Sequence, residues 1–576
     1  MPHYSVDLQD FYFSLFHVLK IQDLSSYGSN ESDLKDILQS FEKFVRQEIY
    51  PTRQESDHEG VSLKEGVVTL PKSFHKVLKN FYENGWYAIG VPEKWEGVPM
   101  PYSFEVALTS IANGANIALG MYPGLAKAAM NVLIQVASPS LQQKFIPRMM
   151  EGKWGGTMCL TEPSAGSDVG ALKTTATPIA GTNLYSIKGN KIFISSGEND
   201  FYENIIHLVL ARTPNAPEGT KGLSLFIVPK YRLKENGEIG EFNDVFCDKI
   251  EEKMGLHAQA TCSLVFGGQG NNSCQGFLLG EEGQGIATMF LMMNEARLLC
   301  GIQGESQANA AYEMARQYAA EREQFGTKLE NFPDIKRMLG ANRSMVRALR
   351  AIHLFTGHSI ELEKTEHEKY VDITALLTPI CKVVGSECGF KVTVDAVQIF
   401  GGYGYCQEYG MEQFCRDAKI TTIYEGTTGI QAIDFVTRKI LKNQGIALMA
   451  LAKECVKHLK IGQEFAGKLL KQEDLQALQE ALNQGNKIVE QLTKWVMTKQ
   501  QDKILSVATD TLTFFSLVLL ADQLLAHSLK AIELQKTPNR GGFEESYLNS
   551  KIEDFSFFTR YHLRDTLGIF KTIMSE

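Results

Sequence analysis

Ile423-Tyr424-Glu425-Gly426-Thr427-Thr428-Gly429 is the stretch around which the chain's chemistry converges. Ahead of Glu425, residues 420–424 are β-branched and aromatic. Behind it Ile430, Ile433, Val436 and Ile440 recur at helical spacing, with threonines placed to cap. The carboxylate therefore sits on the turn entering a helix, where a loop aims a side chain into a cleft and the helix behind it holds the position. An acid near a helix N-terminus is also favoured by the macrodipole alone, so the stretch by itself leaves a structural and a catalytic reading open.

Further segments lie outward from it: Leu160-Thr161-Glu162-Pro163 through Ser167-Asp168, Lys191-Ile192-Phe193-Ile194-Ser195-Ser196-Gly197, Glu282-Gly283 with Arg297 following, Glu321-Arg322-Glu323-Gln324-Phe325-Gly326, and Gln398-Ile399-Phe400-Gly401-Gly402-Tyr403-Gly404. In these residues, and in their order, the chain resembles the acyl-CoA dehydrogenases over nearly its whole length. It is most similar to the subfamily with a long C-terminal helical extension. The resemblance implies a mainly α fold with a central β domain: a helical domain, a β-barrel-like domain, a four-helix bundle domain, and then the C-terminal helical bundle.

Composition fits an ordinary globular protein, with 44% hydrophobic and 22% charged residues in 576. The net charge of −9 argues against a nonspecific nucleic-acid grip, which needs clustered cations. Ten cysteines are scattered with no C-x-x-C or zinc spacing, so no metal site is expected and a reducing, cytoplasmic setting is. The N-terminus lacks the cations of a targeting signal, and the longest nearly apolar run, residues 514–521, is too short to span a bilayer, so no transmembrane segment is expected.

Read in order, residues 1–30 look like an N-terminal strap, 31–154 an all-helical domain, 155–280 a β domain, 281–445 a second helical domain carrying Glu425, and 446–576 a bundle of four helical patterns. Within the β domain, Leu184-Tyr185-Ser186-Ile187-Lys188, the turn pair Gly189-Asn190 and residues 191–195 read as a hairpin. Strands are expected at 204–211, 222–228 and 261–266.

The remaining site expectations follow from the resemblance. Met158, Leu160, Thr161 and Ser167 would lie along a flavin, with Phe193 and Ser195 beside the ring where the wider family usually has Trp and Thr. Arg322, Gln324, Phe325, Gln398, Gly401, Gly402, Thr427 and Gly429 would hold the rest of an FAD, the 322–325 segment reaching from one subunit of a homodimer to the cofactor of the other. Gly429 stands where many members have Gln. Ser167, Asn294, Arg297, Tyr424 and Gly426 would contact the acyl-CoA. Some relatives carry the base one residue before the Arg; Ala296 cannot act there, and Glu295 is one helical step off. The base is therefore Glu425, removing the α-proton while the β-hydrogen passes as hydride to flavin N5, with an electron-transferring flavoprotein as acceptor. Without the resemblance, the 158–167 loop and the glycine cluster read equally as ordinary turns. The competing readings are an acyl-CoA oxidase and a helical scaffold that has lost its chemistry.

Overall fold

Asn204–Arg212 is a strand buried along every residue but the last, and Leu223–Pro229 is buried throughout. Apolar runs of this kind with no polar alternation are what a strand covered on both faces requires. In the computed structural model, which describes residues 3–24, 27–28, 30–268 and 273–576, these strands belong to one of two compact units, comprising residues 47–99 and 116–296. Five strands form a closed circuit: Leu184–Ser195 pairs with Cys274–Leu279, that with Leu223–Pro229, that with Asn204–Arg212, and Thr175–Pro178 joins Asn204–Arg212 back to Leu184–Ser195. The closing contact is a single residue pair, Thr175 with Arg212. Trp154–Cys159 adds in parallel to Asn204–Arg212, and Val245–Ile250 and Thr261–Phe266 extend the other side.

Gly189-Asn190 does not turn a hairpin. Leu184–Ser195 is one continuous strand in which Gly189 lies opposite Phe266 and Asn190 opposite Val265. Both halves find ladder partners, the first on Cys274–Leu279 and Thr175–Pro178 and the second on Thr261–Phe266, so tertiary pairing overrides the local turn signal. Glycine is needed at 189 for space: a Cβ there would lie 2.3 Å from Thr174 Oγ1. The stretch expected to be all-helical also contains a hairpin, Ser62–Lys64 with Val67–Thr69. Helix Tyr102–Val136 is broken at Asn116 (φ −157°, ψ 97°), whose Nδ2 donates to Thr52 Oγ1 at 2.9 Å while its Oδ1 accepts from Leu119 N–H at 3.2 Å.

The other unit comprises residues 3–46 as described, 100–115 and 297–576. Its long helices are the later part of Gly285–Glu321, Pro333–Leu362 and His367–Phe400. Backbones cross closely between the first and third of these: a Cβ on Gly385 would lie 2.2 Å from Gly301 O, and one on Gly304 2.1 Å from Gly385 O. The C-terminal extension holds Ile446–Gln463, Gln472–Met497, Ala508–Gln535 and Glu545–Phe558. It also has a short helix, Gln501–Ser506, and a separate final helix, Asp565–Ser575, that the four-pattern reading missed.

The strap is helical from Leu8 to Val18 and docks through a buried ion cluster. Asp10 is 1% exposed; it accepts from Arg350 Nη1 at 2.6 Å and from Lys551, and lies 3.7 Å from Arg347 Nε. Asp554, also buried, accepts from Arg347 Nη1 and Arg343 Nε, each at 2.7 Å. Those cations hold both carboxyls below the usual carboxylate range against the opposing effect of burial.

Among the described residues, four helices, Tyr102–Val136, Gly285–Glu321, His367–Phe400 and Ala508–Gln535, are long and apolar enough by length and composition to cross a membrane, with 56–83% of their most apolar windows buried inside the protein. Packing within the chain thus occupies most of that apolar surface.

Candidate active site

Residues Ile420–Thr422 wind as a 3₁₀ turn, with Tyr424 N–H donating to Ile420 O at 3.1 Å, and the helix Thr428–Asp434 begins behind them. Thr427 occupies the N-cap position, but its side chain makes no capping hydrogen bond. Glu425 lies between these elements at φ 58°, a left-handed conformation that costs a non-glycine residue on the order of 1 kcal/mol.

Three side chains fix the turn. Gln431 Nε2 donates to Glu425 O at 2.9 Å, Tyr424 OH donates to Gln303 Oε1, and Cys300 Sγ donates to Thr421 O at 3.1 Å. Gly426, at φ 88°, is required because a Cβ would lie 2.7 Å from Gln431 Nε2.

Glu425 is half-buried. Burial pushes its carboxyl up to about 7, opposed first by Arg297 and then by Lys382. Arg297 is itself buried, and its guanidinium is held below its usual range by desolvation, partly offset by Asp434 and Glu425. A carboxylate poised near neutrality and kept on a stiff turn suits proton abstraction.

Elsewhere in this unit Arg322 stands over the ring of Tyr403, 5.6 Å from its centroid, which brings the 322–325 and 398–402 segments together. Glu323–Gln324 and Thr327–Lys328 form a small hairpin whose tip, Phe325 (φ 52°), is 96% exposed. Gln398, Gly401, Gly402, Thr427 and Gly429 are exposed, and a Cβ on any of these three glycines would meet open space.

In the unit built on the sheet, Met158 and Thr161 are half-buried and Leu160 is buried. Ile192 N–H donates to Thr161 O at 2.9 Å, and the register shift opposite Thr261–Phe266 puts Phe193 at φ 57° with its ring 59% exposed beside half-buried Ser195. Ser167 and Asn294 are exposed. Glu295 accepts from Asn131 Nδ2 at 3.1 Å.

Sequence reasoning passed over the anchors. Glu162 accepts from Lys191 Nζ at 2.9 Å, Lys173 N–H at 2.7 Å and Thr174 N–H at 3.0 Å, pinning the 158–174 segment from inside. It also passed over Gln303, Gln431 and Lys382. Lys382 is the single cation in the apolar stretch 376–385, a signal that could have singled it out.

Family descriptions for the acyl-CoA dehydrogenase N-terminal, middle and C-terminal domains match residues 31–153, 157–268 and 283–441, and an acetyl-CoA dehydrogenase C-terminal-like domain matches 451–576. The chain is 36% identical over 459 residues to 3-methylmercaptopropionyl-CoA dehydrogenase of Ruegeria pomeroyi, covering 77% of each chain. It is 35% identical to the broad-specificity linear acyl-CoA dehydrogenase FadE5 of Mycobacterium tuberculosis, covering 98% of this chain and 96% of that one. A solved acyl-CoA dehydrogenase complexed with FAD from Bacillus anthracis shares the fold, with TM-score 0.72 at 22% identity over 100% of this chain and 95% of that one. The chain belongs to the acyl-CoA dehydrogenase family, and is an oxidoreductase of that family with its extended C-terminal domain.

Proposed function

We propose that the protein catalyses FAD-dependent α,β-dehydrogenation of an acyl-CoA thioester to the trans-2-enoyl-CoA, with Glu425 as the base. The observation that carries this is the Glu425 turn: a carboxyl raised to about 7 by desolvation, held at φ 58° by Gln431, Tyr424 and Cys300. A base near neutral pH abstracts a weakly acidic α-proton better than an ordinary carboxylate does, because its strength rises with its pKa while half of it stays ionised. The buried cations on Arg297 and Lys382 keep that ionised half from vanishing.

The residues fit an FAD: Phe193 holds an exposed aromatic face on a strained backbone beside Ser195 and Thr161, and Gly401 and Gly402 leave open room for backbone approach. FAD, when bound, supplies the acceptor for the β-hydride. Met158, Leu160, Thr161, Ser167, Phe193, Ser195, Arg322, Gln324, Phe325, Gln398, Gly401, Gly402, Thr427 and Gly429 are the proposed contacts. Arg297, Asn294, Tyr424, Gly426 and Ser167 are proposed for the substrate.

A homodimer is part of the proposal, with the exposed hairpin that carries Phe325 at its tip as the segment that would reach the partner's cofactor. Cytoplasmic residence, supported by ten unpaired cysteines, and an electron-transferring flavoprotein as acceptor complete the proposal.

The test is anaerobic titration of purified holoenzyme with short, medium and long acyl-CoAs, following flavin absorbance. Bleaching by at least one of them is expected. A colourless protein, or flavin that no acyl-CoA reduces, refutes the reading, and fast reoxidation by oxygen with turnover would make it an oxidase.

A further inference from the structure

Lys382 lies in the interior of His367–Phe400 with none of its side chain exposed, and its Nζ has no hydrogen-bond partner among the described residues. An ammonium is seldom left this way, because desolvating it costs several kcal/mol unless nearby charge compensates. Its helix crosses another at close backbone range on either side of it. Its neighbour Cys381 offers its carbonyl 2.3 Å from where a Cβ of Gly301 would stand, and one turn on, Gly385 meets the Gly301 backbone. Cys300, next to Gly301, donates from Sγ to Thr421 O, four residues ahead of Glu425. The glycine crossing thus delivers Lys382 from one helix, and Cys300 and Arg297 from another, to the turn that carries Glu425.

Glu425 is faced by Arg297 and Lys382; Lys382 by Cys300, Glu387, Glu425 and Arg297; Arg297 by Asp434, Glu425 and Arg438. Tyr424 and Cys300 are kept protonated by burial. Glu387 is exposed and accepts from Thr428 Oγ1, half-buried Asp434 accepts from Arg438 Nη1 at 3.3 Å, and buried Asp417, which faces Tyr424, accepts from Gln413 Nε2 at 3.2 Å.

We propose that Lys382 is a positioning residue for the reaction, a buried cation whose field keeps the Glu425 carboxylate ionised and ready to accept the substrate's α-proton. Lys382 touches neither proton nor substrate; it acts through Glu425, and the inference rests on Glu425 being the base. Two consequences follow from its burial. Its effect is screened by salt much less than that of an exposed charge, because mobile ions cannot reach it. Moreover, the field weakens the base while enlarging its ionised fraction, so its loss is felt at low pH and fades at high pH.

The test is the pH profile of kcat/KM for flavin reduction in holoenzyme, with octanoyl-CoA as probe, in wild type, Lys382→Met, Lys382→Arg and Glu425→Gln. Methionine matches the lysine stem in length and removes the charge; arginine restores it. An upward move of the acid limb by about one unit corresponds to about tenfold lower kcat/KM at about pH 6, converging on wild type by about pH 9. Lys382→Arg should return the limb toward its original place. A loss of equal size at every pH, or an unmoved limb in Lys382→Met, overturns the proposal while leaving Glu425 as base. Full activity in Glu425→Gln would instead remove the base on which the proposal rests. If Lys382→Met does not fold, Lys382→Gln, which also removes the charge, takes its place: a limb moved up by about one unit supports the proposal and an unmoved one overturns it.

Discussion

Replacing Glu425 with glutamine keeps the shape and the backbone N–H and removes only the proton-accepting oxygen. Two opposite effects follow from the same buried carboxyl. For catalysis, loss of a positioned general base predicts flavin reduction slower by about 10²–10⁴-fold, roughly 3–5 kcal/mol of barrier, with FAD content unchanged. For stability the sign is reversed. The folded carboxyl sits at about 7 against an ordinary 4.5, so the folded state binds more protons than the unfolded chain between those values and stability falls as pH rises through that window. The 2.5-unit difference sets an upper bound of about 3 kcal/mol lost by about pH 8. Glu425→Gln has no charge to desolvate and should melt above wild type at about pH 8 but not at about pH 5. Stopped-flow absorbance with octanoyl-CoA under nitrogen and melting curves at the two pH values measure both. Fast bleaching in the variant, or an equal change in melting temperature at both pH values, would refute the assignment of a desolvated base to this position. Glu295→Gln serves as the control: Glu295 is engaged by Asn131, and its variant should bleach at close to the wild-type rate.

The buried ion cluster carries a second expectation. Asp10→Ala leaves Arg350 and Lys551 buried without their carboxylate, a loss of about 3–5 kcal/mol, seen as a lower melting temperature; an unchanged one would refute the claim that the strap is held by this ion cluster. Because the folded carboxyls of Asp10 and Asp554 lie below their unfolded range, their contribution is present above about pH 4 and lost progressively as pH falls below it, to be read from acid unfolding of wild type against Asp10→Asn. Gly385→Ala puts a methyl 2.2 Å from Gly301 O, so the helices must separate; a loss of about 1–3 kcal/mol and slower flavin reduction are expected, and wild-type values for both would show that the crossing does not govern the Glu425 turn. Glu162→Gln weakens the anchor of the 158–174 segment, and faster FAD loss in gel filtration is the expected outcome, measured by the ratio of flavin to protein absorbance.

Local patterns in the chain determined what depends on local chemistry. Strand Thr261–Phe266 alternates in burial as its apolar spacing predicts, and the helices Pro333–Leu362 and His367–Phe400 follow their apolar runs, the second being buried on every side over 376–386. The motif order could likewise be read in sequence. Tertiary structure decided what depends on partners far along the chain. Gly189-Asn190 runs straight because strands from 175–178, 261–266 and 274–279 pair across it, which no local turn preference reveals. The left-handed Glu425 is held by Gln303 and Cys300, both more than 120 residues away. Asp10 and Lys551 look like unremarkable charges in sequence, and nothing there couples Lys382 to Glu425; burial and long-range closure couple each pair, and only folding supplies both.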